Sequence, residues 1–262
     1  MKVLIIGDIV GEPGREAVKK IIPELQTREN IDFVIANGEN AAGGSGLTPR
    51  ILNELLNSHI DVVTSGDHIF KKKEILDVIN FQDRLIRPAN YPEGVPGAGY
   101  TILKAKNNQK VGVINLVGRV FMESLDCPFY RATEIIRKIK QETNIILVDM
   151  HAEATSEKIA LGWYLNAQVS AVFGTHTHVQ TADERILPGA EHTAYITDIG
   201  MTGSVDSVIG RKIEQVLMRF LSHTPTHFEV ADKNVQLQGA VIDIEENTGK
   251  SRTIKRIKEF LI

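Results

Sequence analysis

Short apolar runs alternate along the chain with longer stretches in which apolar residues recur every three or four positions. Runs 3–6, 33–36 and 62–64 are compact, and each gives way to Gly or Ser with polar residues. Between them, 16–26 and 49–58 carry apolar residues at the spacing of one helix face. Pro49 suits the first turn of its helix and Thr48 the cap before it. Further on, 111–117, 145–148 and 169–173 read as buried strands, separated by helices over 133–140 and 156–165. The last third differs: 193–197, 228–230, 235–244 and 253–257 are strand-like, and 212–221 is the clear helix there. Alternating β and α followed by β-rich pairing predicts a layered α/β fold with two sheets, not one doubly wound sheet. No repeat, low-complexity tract or Pro/Gly/Ser linker divides the 262 residues, so a single domain over 1–262 is expected.

Composition narrows the picture. Apolar residues make up 42%, enough for a substantial core, and 30 Lys and Arg against 33 Asp and Glu leave a net charge of −3. That near balance argues against the broad basic surface of a non-specific nucleic-acid binder. The lone Cys127 excludes an internal disulfide and a cysteine-rich metal site, and fits a reducing compartment. The first apolar run stops at Asp8, too early for a signal-peptide core. No run approaches the roughly 20 residues of a membrane-spanning helix. A cytoplasmic protein without a membrane partner is expected.

Five polar clusters follow runs that read as strands: Asp8; Glu39-Asn40; Gly66-Asp67-His68; His151; and Thr175-His176-Thr177-His178. Open α/β sheets place ligands outside the carboxyl ends of their strands, where loops converge. Alone, each cluster has an ordinary reading: Asp8 as a turn or cap, Glu39-Asn40 as solvent-facing, the two histidines as a surface pair. Their joint placement points to one site. Carboxylates and imidazoles without thiols suit Zn, Mn or Fe(II). Three carboxylates with His151, His176 and His178 exceed what one tetrahedral site with an open position uses. They suit two cations about 3.5–4 Å apart that clamp the attacking and leaving oxygens of a phosphoryl displacement. In an extended segment His176 and His178 would point the same way, one toward each cation. Residues 42–46, Ala-Gly-Gly-Ser-Gly, match neither the P-loop nor the dinucleotide fingerprint, and read either as a phosphate cradle or as a flexible turn before Thr48. Residues 87–92 read as a shaped loop near the pocket, with Tyr91 as a candidate for base stacking. Trp163 and Tyr164 read as packing residues.

These residues resemble the calcineurin-like metallophosphoesterases, in Gly7-Asp8, Gly38-Glu39-Asn40, Gly66-Asp67-His68, His151 and Gly174-Thr175-His176-Thr177-His178. More closely, the chain is similar to the YmdB-like phosphodiesterase branch almost end to end, including 87–92, 126–129 and 175–184. The resemblance implies a layered α-β-β-α sandwich. It implies that Glu39 bridges two metals, with Asp8 and His178 completing one site and Asp67, His151 and His176 the other. Asn40 and His68 would hold the phosphate. Iron or manganese is the implied metal pair, with zinc or magnesium as alternatives. Hydrolysis of 2′,3′-cyclic and also 3′,5′-cyclic nucleotides is the implied reaction, by attack of a hydroxide held between the cations. His68 would protonate the leaving ribose oxygen. The family pattern has Asn where this chain has Asp67; an oxygen donor is kept but a negative charge is added. The ligands specify phosphorus chemistry and not the ester. A phosphomonoesterase, a nuclease or a catalytically weakened nucleotide-binding regulator therefore stay as alternatives. RNA is disfavoured by the charge balance, and homo-oligomerisation stays open.

Overall fold

A computed structural model describes residues 1–189 and 192–262. Strand β1 (Lys2–Ile6) shows why the chain forms layers. Alternate side chains leave a strand on opposite faces, so Val3 and Ile5 enter the core between two sheets while Leu4 and Ile6 enter a second core beneath helices. β1 pairs in parallel with β3 (Phe33–Asn37), and β3 in parallel with β4 (Val62–Thr64). Its other edge pairs antiparallel with β12 (Val235–Ile244), which also holds β11 (Met201–Ser204) and β13 (Ser251–Phe260). The two-residue β2 (Asp8–Ile9) joins β11 to complete a seven-stranded sheet. Helices α1 (Gly11–Glu29) and α2 (Pro49–Asn57) cover this sheet with Val18, Ile22, Leu25, Leu52 and Leu55. Thr48 caps α2, its hydroxyl accepting the Ile51 N–H at 3.4 Å.

The second sheet runs β5 (Tyr100–Lys104), β6 (Lys110–Val117), β7 (Ile146–His151), β8 (Ala171–Thr175), β10 (Ala194–Ile196) and β9 (Arg185–Ile186) in spatial order. Strands β6, β7, β8 and β10 are parallel. Val111, Val113, Leu147 and Phe173 meet Phe33, Ile35, Ala240 and Ile242 of the first sheet. On the far face, α3 (Pro128–Ile139) and α4 (Thr155–Leu165) pack Ile136, Ile139, Leu161 and Leu165 against Ile114, Val148 and Tyr195. Each such fully buried aliphatic side chain stabilises the fold by about 1.5–3 kcal/mol relative to exposure. The expected α-β-β-α order is what these three cores produce.

Several boundaries differ from the pattern. α1 begins at Gly11 and α3 at Pro128; Pro128 is favourable at the first position of α3, and Pro13 falls in the first turn of α1, where its missing N–H costs no helical hydrogen bond. β7 continues through Asp149 and His151, both fully buried polar residues that mask the strand in the sequence. Residues 228–230 form no strand; Val230 makes one isolated bridge, to Arg211. Trp163 and Tyr164 lie on the half-exposed side of α4 instead of in the core. Arg185 stacks over the Trp163 ring at 5.6 Å, and Tyr164 meets the Phe129 ring edge-on at 5.4 Å. A fifth helix, α5 (Ile213–Ser222), buries Val216 and leaves Phe220 and Leu221 exposed. Among the described residues, no helix is long and apolar enough to cross a membrane.

Candidate functional site

Because β1, β3 and β4 are parallel, the residues that leave their carboxyl ends emerge at one edge of the first sheet. Asp8 is fully buried there, with Oδ2 accepting the His176 N–H at 3.1 Å. Its Oδ1 is buried without a hydrogen-bond partner and lies 3.8 Å from His178 Nε2. Glu39, 1% exposed, places Oε1 3.2 Å from His151 Nε2, and its Oε2 accepts the His68 N–H at 2.9 Å. Asp67 places Oδ1 3.1 Å from His151 Nε2 and 3.6 Å from His176 Nδ1. Gly66 makes room for this convergence: a Cβ there would stand 2.2 Å from the His151 ring and 2.5 Å from Glu39 Oε2.

The imidazoles come from the second sheet, at the ends of β7 and β8, and each is oriented from behind. His151 Nδ1 lies 2.9 Å from the Thr175 hydroxyl, which itself donates to Asp149 Oδ1 at 2.7 Å. Thr175 has thus used its proton, so Nδ1–H donates and Nε2 faces Glu39 and Asp67. His176 sets Nε2 3.2 Å from Glu153 and Nδ1 3.0 Å from His151 Nε2. His178 donates Nδ1–H to the Ile209 carbonyl at 3.0 Å, leaving Nε2 inward beside the Asn40 amide at 3.2 Å. Imidazoles that ligate metals are oriented by partners of this kind on the other ring nitrogen.

The segment 176–178 is not the extended run its spacing suggested. His176 (φ 100°) and His178 (φ 65°) occupy left-handed backbone conformations. Thr177 between them donates its N–H at 3.2 Å and its hydroxyl at 2.7 Å to Asp198 Oδ2, and buried Lys158 neutralises the same oxygen at 2.7 Å. Such backbone strain persists where the surroundings over-determine it. As a result His176 offers Nδ1 to the centre and His178 offers Nε2.

Ligand atoms of Glu39, Asp67, His151 and His176 all lie within 4.8 Å of one another. Asp8 and His178 form the adjacent pair. Electrostatics reinforce the grouping. Burial raises the Asp8 carboxyl above its usual value. Burial would raise Glu39 and Asp67 as well, yet the charge and hydrogen bonding of His151 hold both below the usual carboxylate range. Burial works against a charge on His151, but Glu39 and Asp67 hold its proton far above the ordinary imidazole range. Burial and the His151 charge push His176 down to about 4. Three carboxylates at least partly buried require positive charge, and without a metal a proton on His151 supplies part of it. The orphaned Asp8 oxygen, the inward imidazole nitrogens and the space left by Gly66 all fit divalent cations.

Beside the ligands, His68 Nδ1 lies 2.8 Å from Asn40 Oδ1, and both line a cleft of about 380 Å³ with Gly44, Glu153, Ile209 and Arg211. Tyr91 sits edge-on to Phe70 at 5.8 Å, close enough that Asp67 and Glu39 add to burial in pushing its hydroxyl up to about 12. The sequence missed Asp149, Glu153, Asp198, Ile209 and Arg211. Asp149 and Glu153 had a signal, standing two residues either side of His151. Ile209 acts through its backbone carbonyl and leaves no trace in residue type.

Relatives share this arrangement of chain. A 2′,3′-cyclic-nucleotide 2′-phosphodiesterase of Bacillus subtilis (strain 168) is 51% identical over 257 residues, covering 98% of this chain and 96% of the relative. A crystal structure described as a novel phosphatase of Mycoplasma pneumoniae superposes with a TM-score of 0.91 at 34% identity, covering 99% of this chain and 93% of the other. The calcineurin-like phosphoesterase YfkN of Bacillus subtilis superposes at 0.56 with 14% identity, over 99% of this chain and 90% of the other, a likeness of fold. A family model described as YmdB-like protein matches residues 4–257, and with the relative at 51% identity it shows that this chain belongs to the YmdB-like family.

Proposed function

We propose that the protein is a two-metal phosphodiesterase that hydrolyses small cyclic nucleotides, 2′,3′-cyclic and also 3′,5′-cyclic. The observation that carries this reading is the convergence of Asp8, Glu39, Asp67, His151, His176 and His178, with Asp8 Oδ1 buried and unpartnered among them. Glu39 would be shared between the ions, Asp8 and His178 would serve one, and Asp67, His151 and His176 the other. Iron or manganese suits this donor set, with zinc or magnesium as alternatives. Divalent ions held here would polarise phosphoryl oxygens and lower the pKa of water. The Bacillus relative, named for cyclic-nucleotide hydrolysis, supports the choice of substrate class.

The chain's own groups then have distinct tasks. Asn40 is fixed by Glu39 at 3.2 Å and by His68, so its amide stands ready at the cleft wall to meet a phosphoryl oxygen. Asn40 Oδ1 takes the His68 Nδ1–H, so a protonated His68 would hold its mobile proton at Nε2 for the leaving ribose oxygen. General-acid assistance of this kind contributes about 10²–10⁴ in rate. A cytoplasmic setting, in which Cys127 stays reduced, accords with the lone cysteine.

The test is a substrate panel on metal-loaded protein: 2′,3′-cyclic AMP, 3′,5′-cyclic AMP, bis-p-nitrophenyl phosphate and p-nitrophenyl phosphate. Turnover of diesters with little of the monoester is expected. Preferential monoester turnover would replace the reading with a phosphomonoesterase, and tight nucleotide binding without turnover under any metal would replace it with a regulator.

A further inference from the structure

Among the residues lining the cleft, Arg211 is the one with a permanent positive charge. We propose that Arg211 is an anion-binding, specificity-determining residue that holds a non-bridging oxygen of the substrate's phosphoryl group. The proposal rests on the phosphodiesterase reading and extends it to a residue outside the metal-ligand and Asn40–His68 sets.

The guanidinium is half-buried and lies against the glycine-rich loop. Nη1 donates to the Gly43 carbonyl at 3.1 Å and the Phe228 carbonyl at 3.4 Å, and Nη2 donates to the Gly44 carbonyl. Arginine carries five N–H donors in a planar fork. Three carbonyls leave Nε–H and one Nη2–H for a further partner. No carboxylate among the described residues lies within ion-pair distance, and burial lowers the guanidinium pKa. A partly desolvated cation held by neutral carbonyls alone has its charge unanswered. Phosphoryl oxygens suit it, since guanidinium hydrogen bonds to such anions are short and charge-assisted.

The glycines at 43–46 gain a role from this placement. Gly44 has φ +84°, and a Cβ on it would stand 2.5 Å from Arg211 Nη1. The turn at 43–46 therefore presents carbonyls that seat a cation. Arg211 itself ends a tight turn in which Val208 N–H and Arg211 N–H each donate to the other's carbonyl, at 2.9 and 3.0 Å. Within that turn Ile209, a β-branched residue, is held at φ 47°, and its carbonyl receives His178 Nδ1–H. One strained turn thus orients a ligand imidazole and delivers a guanidinium to the same cleft. Charge gives it a purpose. Asp67 adds a negative charge to Asp8 and Glu39, with Glu153 close by, and this weakens the pull of the centre on an anion. Arg211 restores that pull from within the same cleft.

The experiment measures inorganic phosphate binding to metal-loaded protein by calorimetry, with metal content determined on the same samples, for the parent, Arg211→Gln and Arg211→Lys. Arg211→Gln is expected to weaken phosphate binding about 10- to 100-fold at unchanged metal content. KM for 2′,3′-cyclic AMP should rise by a similar factor while kcat changes less, and Arg211→Lys should fall between. Unchanged phosphate affinity in a metal-loaded Arg211→Gln protein would overturn the proposal. Should either variant lose metal or fold, phenylglyoxal modification of the parent decides: phosphate is expected to protect Arg211, read by peptide mass spectrometry, and no protection rejects it. Phosphate binding requires no turnover. A parent that binds phosphate through Arg211 yet hydrolyses no diester would end the phosphodiesterase reading and leave this one standing.

Discussion

The two sheets bring different chemistry to one seam. The first sheet delivers carboxylates, Asp8 from the short strand β2 just past β1 and Glu39 and Asp67 from the loops after β3 and β4; the second delivers imidazoles, His151, His176 and His178, from the ends of β7 and β8. The carboxylates are positioned mainly by backbone, with Gly66 giving them space. The imidazoles are positioned mainly by side chains and carbonyls behind them: Thr175 and Asp149, Glu153, and Ile209. A carboxylate has two equivalent oxygens and needs only placement, whereas an imidazole must also be held in one tautomer. The acidic half of the site is therefore a matter of loop geometry, and the basic half a matter of outer hydrogen bonds.

That contrast can be broken most severely at its centre. Glu39→Gln should abolish stable metal loading and diester turnover together, because it neutralises the buried carboxylate that faces His151 and is proposed to be shared by both ions; metal analysis by mass spectrometry checks this. A variant that retains two ions per chain would refute the shared-ligand assignment.

The outer support of the second sheet should matter less but measurably. Thr175→Val removes the acceptor of His151 Nδ1–H and one donor to Asp149, and should weaken metal affinity by about 10–100-fold. Thr175→Ser should restore most of it. Affinity measured by competition with a chelator distinguishes the two, and equal affinities for Val and Ser would deny the hydroxyl its role.

Protonation gives a third contrast. Glu39 and Asp67 hold the His151 proton above its ordinary range in the metal-free protein, and a metal ligated there must displace it. Metal binding at pH 7 should release protons, read from the dependence of calorimetric enthalpy on buffer ionisation. His151→Asn should diminish that release, and an unchanged release would place the proton elsewhere.

A smaller effect concerns stability. Burial raises the Asp149 carboxyl from 3.8 to about 7. Its ionised form is thus disfavoured in the folded state, so stability falls as pH rises from about 4 to about 7 and the penalty is complete above that. Asp149→Asn should remove this decline, visible as a flatter melting temperature of metal-free protein between pH 4 and 8. A parallel curve for the two proteins would show that the carboxyl ionises without cost.

The subtlest change is Asp67→Asn, which keeps an oxygen donor and removes one charge. It should strengthen phosphate inhibition and shift the pH–rate profile to lower pH, at some loss of metal retention. An unmoved profile and unmoved inhibition would leave the charge without consequence.

By itself the sequence determined the layering and the candidate ligands. The unbroken apolar run Val3–Ile6 requires two buried faces on β1, helical spacing at 49–58 supplies a covering helix, and polar clusters after apolar runs announce side chains at strand ends. Those signals are local, each carried by residues a few positions apart. Tertiary structure alone decided that Glu39 and His151, 112 positions apart, stand 3.2 Å from each other. It also decided that His176 and His178 take left-handed backbone conformations with Thr177 between them clamped by Asp198, and that Arg211 rests on Gly44. Residue type reveals which groups can bind a cation or an anion. Which nitrogen faces inward, and which carbonyl lies behind it, depends on backbone from distant segments, and no spacing within the chain encodes that.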